Sequence, residues 1–238
     1  VVGRAPNSPP ALVMKAQWLT RENKLEEALK AAQAPFPADP QSVPANFAQA
    51  VAHDRRKEFT EAARFYNEVL RLNPRAAAAK LELSPLSLAS GDSAAALRFA
   101  EEARQAQPDS LVARVTLARS LVVAGNTARA QTEIADLLKN APNAAPVHAV
   151  NGMYEARMNN LPGARKSYLR ALELSPGYLE AIGGLTYLDL AAKDPKAAIA
   201  RLDAEIAKKP TSAALFVLLS RAQAVAGDQA TEEQALRQ

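Results

Sequence analysis

An all-α fold, a solenoid of stacked 34-residue helix-turn-helix hairpins, is predicted by three observations. Pro40, Pro74, Pro108, Pro142, Pro176 and Pro210 stand 34 residues apart. With only 16 prolines in 238 residues, six in one register mark a repeat, and this period is that of a helical-hairpin array. Ala28, Ala62, Ala96, Ala130, Ala164 and Ala198 keep the same interval, each twelve residues before a proline, which fixes the phase. Composition agrees: 48% hydrophobic residues, led by alanine and leucine, and 5% aromatics supply helix formers, with no apolar run approaching the ~18 residues of a membrane span.

Placing the proline at repeat position 32 gives units 9–42, 43–76, 77–110, 111–144, 145–178, 179–212 and a partial unit 213–238, read as a single solenoid over 9–238 after an N-terminal leader, 1–8. Unit 111–144 shows the pattern: LVARVTLARSLVVA, a break at Gly125-Asn126, then TARAQTEIADLLKN before Ala141-Pro142. The break recurs at Gly91-Asp92, Asn159-Asn160, Lys193-Asp194 and Gly227-Asp228. Glycine or asparagine takes the left-handed conformation that ends a helix, and the neighbouring Asp or Asn accepts hydrogen bonds from the next helix's free amides. In Asp194-Pro195 the cap is followed by proline at the first helical position. The period prolines stop each second helix, because they lack an amide hydrogen and disfavour helical geometry in the preceding residue. Pro35 and Pro37 are expected to shorten or bend the second helix of the first unit. Pro85 falls inside a first helix, where it forfeits the bond to Leu81 at a cost of about 3 kcal/mol or more and predicts a local bend.

Few chemistries find a footing. The absence of cysteine removes disulfides, thiol catalysis and thiolate metal sites together. The net charge of +4, from 29 basic and 25 acidic residues, does not force a nucleic-acid partner. Its densest run, His53-Asp54-Arg55-Arg56-Lys57, falls at a helix turn and reads first as a solvated loop, second as a contact for phosphate or an acidic partner. The two histidines, His53 and His148, lie nearly three units apart, too far for a shared metal or acid–base site. No phosphate loop, nucleophile elbow or H-E-x-x-H is present. Gly183-Gly184 sits early in a helix and reads as a close-packing or flexible spot, since the strand of a dinucleotide motif is missing. No catalytic, metal or cofactor-binding residue is assigned, no cofactor is expected, and the chain reads as a non-enzyme.

The frame resembles the tetratricopeptide repeat, whose pattern wants large apolar residues at positions 4, 7, 11 and 24, small ones at 8, 20 and 27, and proline at 32. Position 20 is alanine in the first six units, and position 8 is small throughout: Ala16, Ala50, Ser84, Ala118, Gly152, Thr186 and Ser220. Position 24 carries Tyr66, Ile134, Tyr168, Leu202 and Leu236 but falls to Ala32 and Ala100, and position 4 departs at Asn46, Lys80 and Arg114. Residues 160–176, NLPGARKSYLRALELSP, are close to the family's second-helix consensus.

The resemblance implies a right-handed superhelical solenoid with the first helices on the inner, concave side. There positions 5, 9 and 12 form a stripe: Val13, Gln17, Thr20; Phe47, Val51, Asp54; Leu81, Pro85, Leu88; Val115, Arg119, Val122; Ala149, Met153, Ala156; Gly183, Tyr187, Leu190; Val217, Arg221, Ala224. This largely apolar stripe with isolated arginines predicts a groove for a helix or extended peptide; the alternative is that several of these residues pack on neighbouring first helices. The candidate contacts are Phe47, Val51, Leu81, Val115, Arg119, Met153, Arg157, Tyr187, Leu190 and Arg221. The Lys/Asn/Arg clamp with which one subgroup grips chaperone tails is missing, since Val13 and Gln17, Phe47 and Val51, and Leu81 and Pro85 stand at its positions.

Three functional classes remain open. The leading one is a non-catalytic protein-interaction scaffold with a protein or peptide ligand. The others are the recognition arm of a larger glycosyltransferase or peptidase and an RNA-binding helical repeat, the last disfavoured by the frame and the apolar stripe. The start at Val1-Val2 and an end inside a second helix read as a piece of a longer protein. Alanine- and arginine-rich units resemble long bacterial arrays, including lipoproteins of exopolysaccharide and protein-sorting systems, so both a periplasmic and a cytoplasmic setting stay open. So does the oligomeric state.

Overall fold

The computed structural model describes residues 8–35 and 39–236, with side chains to residue 227. Pro37 lies outside the described residues. The described residues form thirteen α-helices in two compact units, Val1–Ala124 and Gly125–Gln238. The boundary falls inside the fourth repeat.

The first unit holds three hairpins and one further helix: α1 (Pro9–Arg21) with α2 (Leu25–Gln33), α3 (Val43–Arg55) with α4 (Phe59–Leu72), α5 (Ala77–Ala89) with α6 (Ser93–Ala106), and α7 (Leu111–Val123). Each second helix packs on the first helix of the next hairpin, and first helices meet directly at α1–α3 and α5–α7. In the second unit, α8 (Thr127–Asn140) packs on α9 (Ala145–Arg157). α9 pairs with α10 (Leu161–Leu174), α11 (Leu179–Ala191) with α12 (Pro195–Lys208), and α13 (Ala213–Leu236) covers α11 and α12.

The repeat frame explains both ends of the helices. Asn23, Lys57, Gly91, Gly125, Asn159 and Lys193, at one repeat position, all adopt left-handed backbone, with φ between 59° and 84°. There the amide one residue on reaches back over the last turn, as Lys24 N to Leu19 O at 2.9 Å, Asp92 N to Ser87 O at 2.8 Å and Asp194 N to Asp189 O at 2.9 Å. This hydrogen-bonded C-cap satisfies carbonyls that a helix end leaves open. Asp92, Asn160 and Asp194 then accept a bond from the first turn of the next helix, at Ala95, Gly163 and Ala197. Second helices end differently. Asn73, Gln107, Ala141, Ser175 and Lys209, each just before a period proline, have φ between −143° and −134°, the extended geometry that proline imposes on its predecessor.

Alanine at position 20 sits where the two helices of a hairpin come closest: Ala28, Ala62, Ala96, Ala130, Ala164 and Ala198 are all fully buried. The approach reaches the backbone, since Ser84 Oγ on α5 donates to the Ala96 carbonyl on α6 at 3.0 Å, and also meets Ser120 Oγ on α7 at 3.0 Å. In the second unit Tyr168 of α10 lies between two glycines. A Cβ on Gly152 of α9 or on Gly184 of α11 would stand 2.7 Å or 2.3 Å from its ring. Gly184 is therefore a close-packing spot, whereas a Cβ on Gly183 would meet only Leu218 Cδ1 at 4.0 Å.

Three departures stand out. α2 is only nine residues long, against fourteen for the other second helices, in line with Pro35 at its end. α5 runs through Pro85 to Ala89, with Pro85 facing solvent. The break expected at Gly227-Asp228 is not formed, because α13 continues to Leu236 as one helix of twenty-four residues. The seventh unit carries Glu232 where the first six have alanine. Without a returning helix, Ser220, the position-8 residue, is exposed.

Two sets of substitutions test this packing. Gly184→Ala is expected to lower unfolding stability by about 1–3 kcal/mol through overpacking against Tyr168. Gly183→Ala, with space for a methyl, is expected to raise it by about 0.5–1 kcal/mol. Equal effects in urea unfolding would contradict the assignment. Lys193→Gly should stabilise by roughly 0.5–1 kcal/mol, the ~1–2 kcal/mol of left-handed strain less the entropy glycine adds to the unfolded chain; an unchanged or lower midpoint is the opposing outcome.

Candidate functional site

The stripe on the first helices divides by repeat position. At position 5, Val13, Val115 and Ala149 are buried and Phe47, Leu81 and Gly183 half-buried. Position 12 behaves alike, with Thr20 and Val122 buried and Asp54, Leu88, Ala156 and Leu190 half-buried. Position 9 differs, for none of Gln17, Val51, Pro85, Arg119, Met153, Tyr187 and Arg221 is buried. Val115 thus belongs to the core, and Leu190 packs at the edge of one around Ile182, Leu202 and Leu215.

In the first unit the structure gathers two candidates into a groove. Phe47 and Val51 of α3, with Ala48, form one wall of a cavity of about 290 Å³; Gln17, Thr20 and Arg21 of α1 form the other, and Arg55 closes one end. Phe47 is fixed edge-on against Tyr66 of α4, ring centres 5.5 Å apart at 68°. Thr20 Oγ1 donates to its own helix at Ala16 O, 2.8 Å, so its hydroxyl is already satisfied. Leu81 and Arg119 do not line this groove. Arg21 and Arg55 were not among the sequence candidates, although a signal existed. They stand 34 residues apart at repeat position 13, one helical turn beyond Gln17 and Val51 and on the same face.

The basic run is not a solvated loop. His53 and Arg55 lie within α3; the His53 ring stacks on Phe65 at 5.3 Å and its Nδ1 meets Glu58 Oε2 at 2.6 Å. Arg56 binds Glu58 at 2.8 Å and also Glu26 of the preceding hairpin. Hydrogen bonds from Arg56 and then His53 hold the Glu58 carboxyl below the usual carboxylate range. These partners leave Arg55 as the residue of the run that faces the groove.

In the second unit, Met153 and Leu190 are half-buried, while Arg157, Arg221 and Tyr187 are exposed, Tyr187 to 63%. α11, which carries Tyr187, is pinned from its opposite side by Asp189. This carboxylate is 3% exposed and accepts from Arg165 of α10 at 2.7 Å and from Arg201 of α12 at 3.1 Å. Tyr168, beneath the same helix, has its phenol pushed up to about 12, chiefly by burial and then by Glu180 and Tyr187. His148 is engaged locally, with Nε2 2.7 Å from the Pro142 carbonyl.

A second cleft of the first unit, about 510 Å³, opens between α4 and α6 over α5. Its apolar lining is Phe59, Ala63, Leu83, Leu86 and Phe99. Nothing in the repeat frame marked it. Among the described residues, no three metal-ligating side chains converge and no helix is long and apolar enough to cross a membrane.

Stacked helical hairpins, with an accessible ribbon of mixed apolar and basic residues, define a helical-repeat protein. Sequence models of the tetratricopeptide repeat match residues 13–74, 47–110 and 87–152, together more than half of the chain, and the protein belongs to the tetratricopeptide repeat family. Such repeats are generally protein-interaction modules and typically non-catalytic. No curated protein matches the chain. Among solved structures it is similar to a tetratricopeptide repeat protein from Parabacteroides merdae, at 16% identity over 93% of this chain and 86% of that one, TM-score 0.77. It is also similar to PilW, a type IV pilus biogenesis factor, at 15% identity over 89% and 98%, TM-score 0.66. A third is YrrB, described as having an unusual peptide-binding site, at 18% identity over 76% and 93%, TM-score 0.59. At these identities the likeness is one of fold.

The Asp189 pinning is testable. Asp189→Ala should cost about 1–3 kcal/mol, less than the ~3–5 kcal/mol for breaking a fully buried pair, because Arg165 and Arg201 keep 39% and 26% of their side-chain surface in solvent. Asp189→Leu, with the residue that Leu19 and Leu121 supply at the same repeat position, should cost less than the alanine variant in thermal unfolding. The reverse order would show that the charge network outweighs packing.

Proposed function

We propose that this protein is a non-catalytic interaction scaffold that takes a helix or extended peptide along its first helices, with the Phe47–Val51 groove as the principal contact of the first unit. The observation that carries this reading is the groove's construction. Phe47 and Val51 stand partly open to solvent at the edge of the closed core around Ala62, Tyr66 and Val69, and both line the cavity. A half-buried apolar wall with polar ends is the form of a peptide groove. Tyr187 and Met153, with Arg157 and Arg221, are the corresponding candidates of the second unit, since an exposed tyrosine and exposed arginines are the residue types that anchor interfaces.

The same reading treats residues 9–238 as one array, since the 34-residue frame passes through the boundary between units without a change of phase. A place among bacterial arrays that accompany exopolysaccharide or protein-sorting systems is supported by the alanine- and arginine-rich style of the units.

Selection of peptide binders from a displayed random library, followed by mapping with variants, tests the proposal. Val51→Glu is expected to weaken groove-bound peptides about tenfold or more, and Tyr187→Ala those bound on the second unit, by a similar factor. Peptides insensitive to both substitutions would move the binding face to the cleft between α4 and α6 or elsewhere on the outer surface.

A further inference from the structure

We propose that the groove between α1 and α3 recognises an acidic peptide segment bearing a large apolar side chain, with Arg21 and Arg55 as paired anchors for its carboxylates. This rests on the reading of the groove as a peptide site and adds the chemistry of its ligand.

Phe47, Val51 and Arg55 follow one another at intervals of four on α3, and Gln17 and Arg21 do so on α1. Each step is about one turn, a rise of roughly 6 Å. The apolar wall and the guanidinium groups are therefore neighbours along the groove, the spacing of a carboxylate side chain beside a large apolar one. Two arginines at the same position of consecutive repeats present their donors from both walls.

The other cations near these turns are engaged: Arg56 by Glu58 and Glu26, Lys24 over Trp18 at 5.5 Å, and Lys57 over Phe59 at 5.9 Å. Among the described residues, Arg21 and Arg55 form no ion pair, and both are exposed. Their placement in the last turns of α1 and α3 invites a capping role, but those ends are already closed by backbone bonds. Lys24 N reaches Leu19 O at 2.9 Å, and Glu58 N reaches His53 O at 3.0 Å. The guanidinium donors are left for something else.

Opposing charges are few. Asp54 precedes Arg55 on α3, and Glu82 of α5 lies within electrostatic reach of both. Neither carboxylate accepts a hydrogen bond from Arg55. Burial, and then Asp54, push the Glu82 carboxyl above its ordinary range, while Arg55 works the other way. Arg55 thus offsets local negative charge through space and keeps its five donors, and Arg21 has no such neighbour in the groove lining. A carboxylate bound by both arginines gains charge-assisted bonds next to an apolar wall, where they are stronger than in water.

The test is fluorescence anisotropy with the full chain and a short fluorescein-labelled peptide in which Leu and Phe alternate with Glu and Asp. An isostere carrying Gln and Asn and a labelled oligouridine serve as comparison probes. The acidic peptide is expected to bind about tenfold or more tightly than the isostere, the margin of one or two charge-assisted hydrogen bonds. The double variant Arg21→Gln/Arg55→Gln should remove that margin, bringing the acidic peptide to the affinity of the isostere in the same variant; both side chains are exposed, and circular dichroism checks the fold. Equal binding of acid and isostere, lost together in Val51→Glu, would leave the peptide groove standing and overturn the anion anchors. If neither peptide binds, the groove reading itself falls. Acidic-peptide binding unchanged in the double variant, or oligouridine binding lost in it while the peptides do not bind, would also overturn the proposal.

Discussion

Everything in this molecule depends on a contact that admits nothing larger than a methyl group. At position 20 of six consecutive units an alanine is fully buried against the paired helix. The approach is close enough for the Ser84 hydroxyl on one helix to bond the Ala96 carbonyl on the other. Where the neighbouring side chain is large, the backbone must give up its own, as at Gly152 and Gly184 around the Tyr168 ring. A repeat protein multiplies such a contact. Each hairpin buries its faces on its neighbours, and stability accumulates unit by unit. In the seventh unit, which carries Glu232 at position 20, α13 continues through the turn expected at Gly227-Asp228.

Most of the fold was legible because its determinants are periodic and local. Proline ends a helix through its own ring, and left-handed backbone at Gly91, Gly125 and Asn159 suits those residue types. The same turn at Lys57, where no residue preference signals it, is imposed by the hairpins on either side. The Gly227-Asp228 pair was misleading for the complementary reason. A capping dipeptide permits a turn, but only packing of the following helix requires one, and alanine-rich sequence otherwise remains helical. Asp189 could not be inferred either. Its partners Arg165 and Arg201 come from two other helices, and only the packed structure shows that they converge. Positions 5, 9 and 12 share a helical face, yet the curvature of packing buries much of the first and last and spares the middle one.

The surface left over follows from the contact that builds the fold. Small residues let the helices of each hairpin close tightly, and on the first helices no residue at position 9 or 13 is buried. Arg21, Arg55 and Arg157 all stand at position 13 and are exposed. Residues at these positions contribute little to the packed core, so their identity is free to follow a ligand. Gln17, Val51, Arg21 and Arg55 place a polar, an apolar and two basic side chains across two repeats, and Arg21 and Arg55 are needed neither for helix capping nor for charge balance at the turn. The turn itself is balanced by Arg56, Glu58, His53 and Glu26, a network that joins the first two hairpins and holds the two groove walls in fixed register. Recognition in a solenoid then becomes a matter of spacing. The repeat sets the interval between equivalent side chains, the packed turns keep it rigid, and a ligand is selected by whether its own charges and apolar groups recur at that interval.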